Sequence, residues 1–281
     1  MKIVYWFVFL LWLLPCSLYS FETSFVSAKK DMFVKNAGQW NDTAQYAFDA
    51  KGGRVFFTKT GWRIVSASVA DLQRAHELKS KKDSISFAYN YLIRSYCLEW
   101  QFRDSREGVG VKGETKLPNY NNYYLGNSSS NHHVEVPIYE QLNYEGLYKG
   151  VDVKLESDSG NLKYSFLVER DFNLDNLAYF IKGAESVTVR NGRLIIQTSL
   201  ADNEEYIPIA YSIDEKGTKN AVACNYKINT DGSIGFTLEK PLPNGCRLLI
   251  DPVLVIGSYA WSTAMSYGFT ATYDIAARFW R

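Results

Sequence analysis

The sequence predicts an all-β fold: an antiparallel β-sandwich-like domain of many short strands and hairpins with at most one short helix, a closed barrel being the architectural alternative. Three observations lead there. Apolar and polar residues alternate with a period of two through several segments, which turns one face of each toward a core and the other toward water. Turn-forming Gly, Asn and Asp residues separate those segments at hairpin spacing. A helical period shows in one place, Asp71 to Lys79. Of the 281 residues 46% are hydrophobic and 15% aromatic, enough to fill one large β domain or two small ones.

The first element is expected to be a secretory signal peptide over residues 1–20. Lys2 is its sole charge, an apolar run follows from Ile3 to Leu14, and Pro15, Cys16, Ser17 and Ser20 close it with small or polar groups. The run is shorter than the roughly 18 residues a membrane-crossing helix needs, so an uncleaved anchor is the lesser reading. Pro15 is a poor neighbour for a lipidated Cys16. The protein is therefore expected to be exported, to the periplasm, cell surface or extracellular space, with no membrane span once the signal is cleaved.

Losing Lys2 takes Lys+Arg from 31 to 30, equal to the 30 Asp+Glu. A neutral chain whose charges alternate in sign lacks the clustered positive charge that nucleic acid requires. The Lys79 to Lys82 stretch reads as a solvated loop. Three cysteines remain after cleavage, Cys97, Cys224 and Cys246. An odd number leaves at least one unpaired, and Cys224 with Cys246 is the pair expected to bridge if any does. No Cys-x-x-Cys is present to support thiol-redox or zinc-ribbon chemistry.

In chain order, Arg54 to Thr58, Trp62 to Val69 and Ser95 to Phe102 read as strands, the last burying Tyr96, Leu98, Trp100 and Phe102. Asp71 is placed to begin a short helix with Leu72, Ala75 and Leu78 inward. Gly108 to Asn131, rich in turn formers, reads as a linker or loop between the halves. Val151, Val153 and Leu155 then alternate with Asp152, Lys154 and Glu156, and Leu162, Tyr164, Phe166 and Val168 answer them across a Ser157 to Gly160 loop. Pairing Glu156 with Asn161 sets Leu155 opposite Leu162 and Val153 opposite Tyr164. Asn191-Gly192 supplies the two positive-φ positions of a type I′ turn, with Arg190 opposite Arg193 and Val187, Val189, Leu194 and Ile196 on one face. A third hairpin turns at Thr230-Asp231-Gly232, with Ile228 opposite Ile234 and Tyr226 opposite Phe236. One domain over residues 25–255 is expected, because a split leaves each half a small core.

Catalytic parts are missing. His132 and His133 are adjacent, so a strand points them to opposite faces, and His76 is distant, which argues against a metal site. Neither Gly-x-Ser-x-Gly, His-Glu-x-x-His nor a Gly-rich phosphate loop occurs. Glu135, Glu140, Glu145 and Asp152 are the carboxylates from which a glycosidase dyad would be drawn, but strand alternation already explains Asp152. No cofactor is expected. The candidate binding residues are Tyr120, Asn122, Tyr123 and Tyr124, which offer stacking faces and an amide to a sugar or peptide. The competing expectation is that they pack under the loop, since Leu117 and Leu125 bracket them. Trp40 is expected to be a buried anchor of the first strand.

Five strings carry a resemblance: FVKNAGQW (Phe33 to Trp40), KLPNYNNYYLGN (Lys116 to Asn127), YEGLYKGVDVKLESDSGNLKYSFLV (Tyr144 to Val168), IPIAYSI (Ile207 to Ile213) and LLIDPVLVIGSY (Leu248 to Tyr259). Together they resemble the N-terminal domain of unknown function that precedes SBBP-type β-propeller repeats, PKD domains and gliding-motility-associated sorting domains in large secreted Bacteroidetes proteins. None of the strings is a catalytic signature, and the resemblance implies context without an activity. It also implies that GFTATYD (Gly268 to Asp274) opens a propeller repeat, so residues 256–281 are expected to be the truncated, loosely packed start of one. The function expected is a noncatalytic structural or interaction module of an exported, cell-envelope-associated bacterial protein. A carbohydrate-binding or carbohydrate-processing domain is the alternative. A glycan or another envelope protein is the partner in view.

Overall fold

Period-two patterning becomes strand almost everywhere in the structure, a computed structural model that describes residues 32–40, 43–80 and 92–256. The expected signal peptide, the start of the domain before Met32, and the expected propeller start beyond Ile256 lie outside the described residues. So do Lys81 and Lys82, and the side chains of His76, Leu78 and Lys79.

In the first half come β1 (Phe33–Lys35), β2 (Tyr46–Ala50), β3 (Gly53–Phe57), β4 (Gly61–Ala67), helix α1 (Val69–Ser80) and β5 (Ser95–Phe102). A long ribbon follows, β6 (Val111–Tyr124) and β7 (His132–Tyr148), then the hairpin β8 (Val151–Asp158) and β9 (Asn161–Val168). The second half holds β10 (Ala178–Lys182), β11 (Ser186–Arg190), β12 (Arg193–Gln197), β13 (Asn203–Glu205), β14 (Ile209–Ile213) and β15 (Lys219–Val222). It ends with β16 (Cys224–Ile228), β17 (Ile234–Leu238), β18 (Arg247–Asp251) and β19 (Val253–Val255).

The pairings among these strands are antiparallel and make two walls. One wall runs β16, β17, β10, β5, β4, β3, β2, β1. The other runs β7, β8, β9 and then forks, to β18, β14 and β15 along the upper part of β9 and to β19, β13, β12 and β11 along its lower part. The two walls are not separate sheets. Short β1 hydrogen-bonds to β2 on one side and to β7 on the other, and at the far end β11 lies against β16. Sandwich and barrel thus merge into one sheet nearly closed on itself, with an all-β core.

Alternation fills that core from both walls. Trp62 of β4 meets Tyr164 of β9 at 5.0 Å between ring centroids, Phe102 of β5 meets Phe166 at 6.1 Å, and Phe166 meets Phe236 of β17 at 5.5 Å. Most buried apolar residues, Phe33 and Ile256 among them, belong to this one cluster, so the two halves share a core. Tyr96, Leu98, Trp100 and Phe102 all face it, as the alternation in β5 requires.

Two expectations change. Gly108 to Asn131 is mostly strand β6, paired with β7 over its length apart from bulges, rather than a linker or loop. Pro118 and Asn119 bulge the strand instead of ending it, the register slipping between Lys116 and Tyr120, and a second slip between Asn121 and Tyr123 has its extra residue on β7. In the β8–β9 hairpin the turn is the two residues Ser159 and Gly160, at φ 52° and 81°, so Leu155 faces Tyr164 and Val153 faces Phe166. A tight turn with both φ positive matches strand twist better than the expected four-residue loop. The slip is two residues, which leaves every side chain on its expected face. The other two hairpins have the expected registers, Arg190 opposite Arg193 and Ile228 opposite Ile234. The helix starts two residues early at Val69, and Ser68 accepts the Asp71 N–H through its hydroxyl. Asp71 itself is buried and clasps the Arg94 side chain at 2.8 Å.

Candidate functional site

The first resemblance string ends in Asn-Ala-Gly-Gln-Trp, and these residues make a loop shaped by its own side chains. Asn36 Oδ1 accepts the N–H groups of Gly38 (3.0 Å) and Trp40 (3.2 Å), while its Nδ2 donates to the carbonyls of Trp40 (3.3 Å) and Ala44 (2.7 Å). Buried Gln39 accepts from the Ala37 N–H at 2.6 Å and donates to the Lys35 carbonyl at 2.7 Å. A loop so satisfied holds Trp40 in one place. The indole, expected to be a buried anchor, is half-buried. Phe56 and Tyr123 meet it edge-on at 5.9 and 5.7 Å, and the Arg54 guanidinium, held by Asp49, lies 5.8 Å over its ring.

Tyr123 is one of the four candidate binding residues, and the structure separates it from the other three. From Tyr120 to Tyr124 exposure alternates along β6, the extra residue of the second bulge lying on β7, so odd and even residues face opposite ways. Tyr123 faces the body, where it joins Trp40, Leu117 and Met32 around buried Val34, Val136 and Ile138, and the Asn121 amide donates to its hydroxyl at 3.3 Å. Burial raises its pKa above the ordinary tyrosine value. Tyr120, Asn122 and Tyr124 share the solvent face. Tyr120 is 54% and Tyr124 64% exposed, with neighbouring Val134 at 58%. The two tyrosines stand about 13 Å apart along the strand. Asn122 Oδ1 already accepts the Glu135 N–H at 2.8 Å, and the His132 ring meets Tyr124 edge-on at 5.2 Å. The ribbon therefore has a glued face and a bare aromatic face.

Three of the candidate carboxylates have structural places. Glu145 pairs with Lys112, Asp152 Oδ1 accepts the Gly146 N–H at 2.6 Å, and Glu135 sits at a positive φ of 55° on the exposed ribbon. The histidines stay apart: the His133 ring packs against Gly38, where a Cβ would collide with it, while His132 turns to Tyr124. Among the described residues no group of three His, Cys, Asp or Glu side chains is placed to hold a metal.

One acidic group escaped the sequence reading. Glu205 of β13 is fully buried inside the barrel, where the Trp100 indole N–H donates to it at 2.9 Å and the Tyr179 hydroxyl at 2.7 Å. Next to it Asn203, also fully buried, accepts from the Tyr96 hydroxyl at 3.0 Å. Desolvation raises the Glu205 pKa, partly offset by these donors. Trp100, Tyr164 and Tyr179 around it are at most 1% exposed, so solutes do not reach it. This network is structural.

The expected Cys224–Cys246 bridge is absent, and Cys97, Cys224 and Cys246 are free thiols. The walls explain why. Cys224 points into the core from β16, opposite Leu238, in one wall; Cys246 precedes β18 in the other. Burial pushes the Cys224 thiol up to about 12.

Comparison with curated proteins and with solved structures found no match to either. Comparison with family models did: residues 33–253, from β1 to the first residue of β19, match a domain of unknown function. The aromatic ribbon, Glu205 with its hydrogen-bond partners, and all strands but the end of β19 fall within that span, and the chain belongs to the family Domain of unknown function (DUF7948).

Proposed function

We propose that this domain is a noncatalytic structural or interaction module of an exported, cell-envelope-associated bacterial protein, and that the bare face of the β6–β7 ribbon is its contact surface. The observation that carries the reading is the division of labour on β6, where Tyr123 is spent on anchoring and Tyr120 and Tyr124 are left in water. The candidate carboxylates Glu145 and Asp152 are engaged in structural contacts, which supports the noncatalytic part. The signal-like segment over residues 1–20 supports export. The resemblance to domains ahead of SBBP-type repeats in secreted Bacteroidetes proteins supports the periplasm, cell surface or extracellular space as the setting.

Alanine at both Tyr120 and Tyr124 should leave folding intact and release the full chain from the envelope fraction of the cells that make it. Retention in that fraction sinks the reading. So does turnover of a glycoside, ester or peptide by the purified chain.

A second reading, carbohydrate binding by the same face, draws on the spacing of Tyr120 and Tyr124 with an amide between them. It expects a glycan-array signal that the same double variant abolishes.

A further inference from the structure

Away from the ribbon, three connections at one end of the barrel line an open basin of about 830 Å³. They are the β5–β6 connection at Arg103 to Arg106, the β7–β8 turn at Lys149-Gly150, and the β9–β10 connection from Glu169 to Asn176. Backbone hydrogen bonds tie each to the others: Arg106 N–H to the Leu147 carbonyl at 2.9 Å, Glu169 N–H to the Gly150 carbonyl at 2.8 Å, and Arg103 N–H to the Ala178 carbonyl at 2.9 Å. The Tyr148 hydroxyl also donates to the carbonyls of Arg103 and Ala178, at 2.7 and 3.1 Å. A volume in the range of small-molecule sites, with walls held in place before any ligand arrives, marks a preformed site.

Its chemistry is specific. Phe172, half-buried and packed on the Tyr148 ring at 5.8 Å, gives it an aromatic lining. Gly150, at φ 93°, passes so close that a Cβ there would press on Glu169 and touch Phe172. Three cations and three anions line it, Arg103, Arg106 and Lys149 against Asp104, Glu169 and Asp171, so no net charge draws in an ion. Arg103 is taken up by Asp231, Ser233 and the Asp175 carbonyl, and Glu169 faces Arg247 at 3.7 Å. What remains uncommitted is both donor and acceptor. Arg106 reaches only the Gly146 carbonyl, at 3.3 Å, and Lys149, Asp171 and Asn176 have no side-chain partner among the described residues.

We infer that this basin binds a neutral, hydroxyl-rich saccharide. A sugar presents vicinal hydroxyls that donate and accept at once, which suits planar arginine, carboxylate and amide groups side by side, and an apolar C–H face that stacks on an aromatic ring. A polyanion or a polycation would meet like charges on the same rim. The inference goes beyond the ribbon reading and does not rest on it.

The test is titration of the full chain with neutral oligosaccharides of defined linkage, namely β-1,4-glucan, α-1,4-glucan, β-1,3-glucan, mannan and chitin fragments, with polygalacturonate as a charged comparator. Saturation-transfer NMR detects contact and calorimetry gives affinity. At least one neutral oligosaccharide should bind, insensitive to salt. Its affinity should fall about tenfold or more in Arg106→Ala and in Asp171→Ala. Both side chains are exposed, so these variants keep the fold; Phe172→Ala should also lose binding, with its folding checked by circular dichroism. Alanine at Tyr120 and Tyr124 should change nothing. Failure of every neutral oligosaccharide to bind overturns the proposal. So does binding that survives Arg106→Ala and Asp171→Ala, or binding of polygalacturonate alone that fades with salt.

Discussion

Glu205 places a carboxyl where a strand in a core normally places an apolar side chain. Because burial raises its pKa, the folded protein holds that proton more tightly than the unfolded chain does. Its contribution is therefore complete below the unfolded value of about 4.3 and is lost as pH rises through the folded pKa. Glu205→Gln keeps an acceptor for Trp100 and Tyr179 without the charge, so its melting temperature should fall less than the wild type's between acid and neutral pH. Identical slopes would show that the charge is compensated. The residue was illegible in the sequence because Asn-Glu-Glu spells a loop, and its partner Trp100 lies more than a hundred residues away, as Tyr96 does from neighbouring Asn203. Asn36 makes the opposite case: the hydrogen bonds to Gly38, Trp40 and Ala44 are local, within the string FVKNAGQW and just beyond. Asn36→Ala should cost about 1–3 kcal/mol in urea unfolding by leaving backbone groups unpaired.

The same contrast holds for the elements. Hairpins whose turn chemistry is strict, Asn191-Gly192 above all, were readable to the residue, because few sequences supply two positive-φ positions in a row. The β8–β9 turn was readable only to its faces, since Ser159 adopts φ 52° without being Gly or Asn and nothing in the local pattern separates registers that differ by two. Ribbon β6 was hidden by its own composition. Tolerance along it should follow its two faces: Tyr123→Ala should cost about 2 kcal/mol through lost burial against Trp40, and Tyr120→Ala within about 0.5 kcal/mol of nothing. Equal costs in chemical denaturation would mean that the ribbon is not glued along one face. Gly61 is the tightest point of the β4–β5 pair, at φ 153° with the Trp100 carbonyl where a Cβ would go. Gly61→Ala should cost about 3 kcal/mol, or force the strands apart.

For the molecule as a whole, the all-β class and the core residues could be read from alternation, whereas the closure could not, because it depends on a three-residue strand with no pattern of its own. That strand, β1, is where the two walls become one sheet, and Phe33 within it is fully buried against Phe48 and Phe57. Phe33→Ala should cost about 3–5 kcal/mol and still give one unfolding transition seen alike by fluorescence and circular dichroism, since the core is continuous. Two transitions would mean that the walls are separate cooperative units. The place of β1 in the chain also sets an order of events. It is the first strand to emerge from whatever delivers the chain N-terminus first, yet its partner Tyr139 lies more than a hundred residues later. Until then Phe33 has only β2 and β3 to cover it, and the seam cannot close. Such dependence on distant pairing slows folding to the millisecond-to-second range of β-rich domains, and it keeps the early chain open, hence threadable, for as long as β7 is still to come.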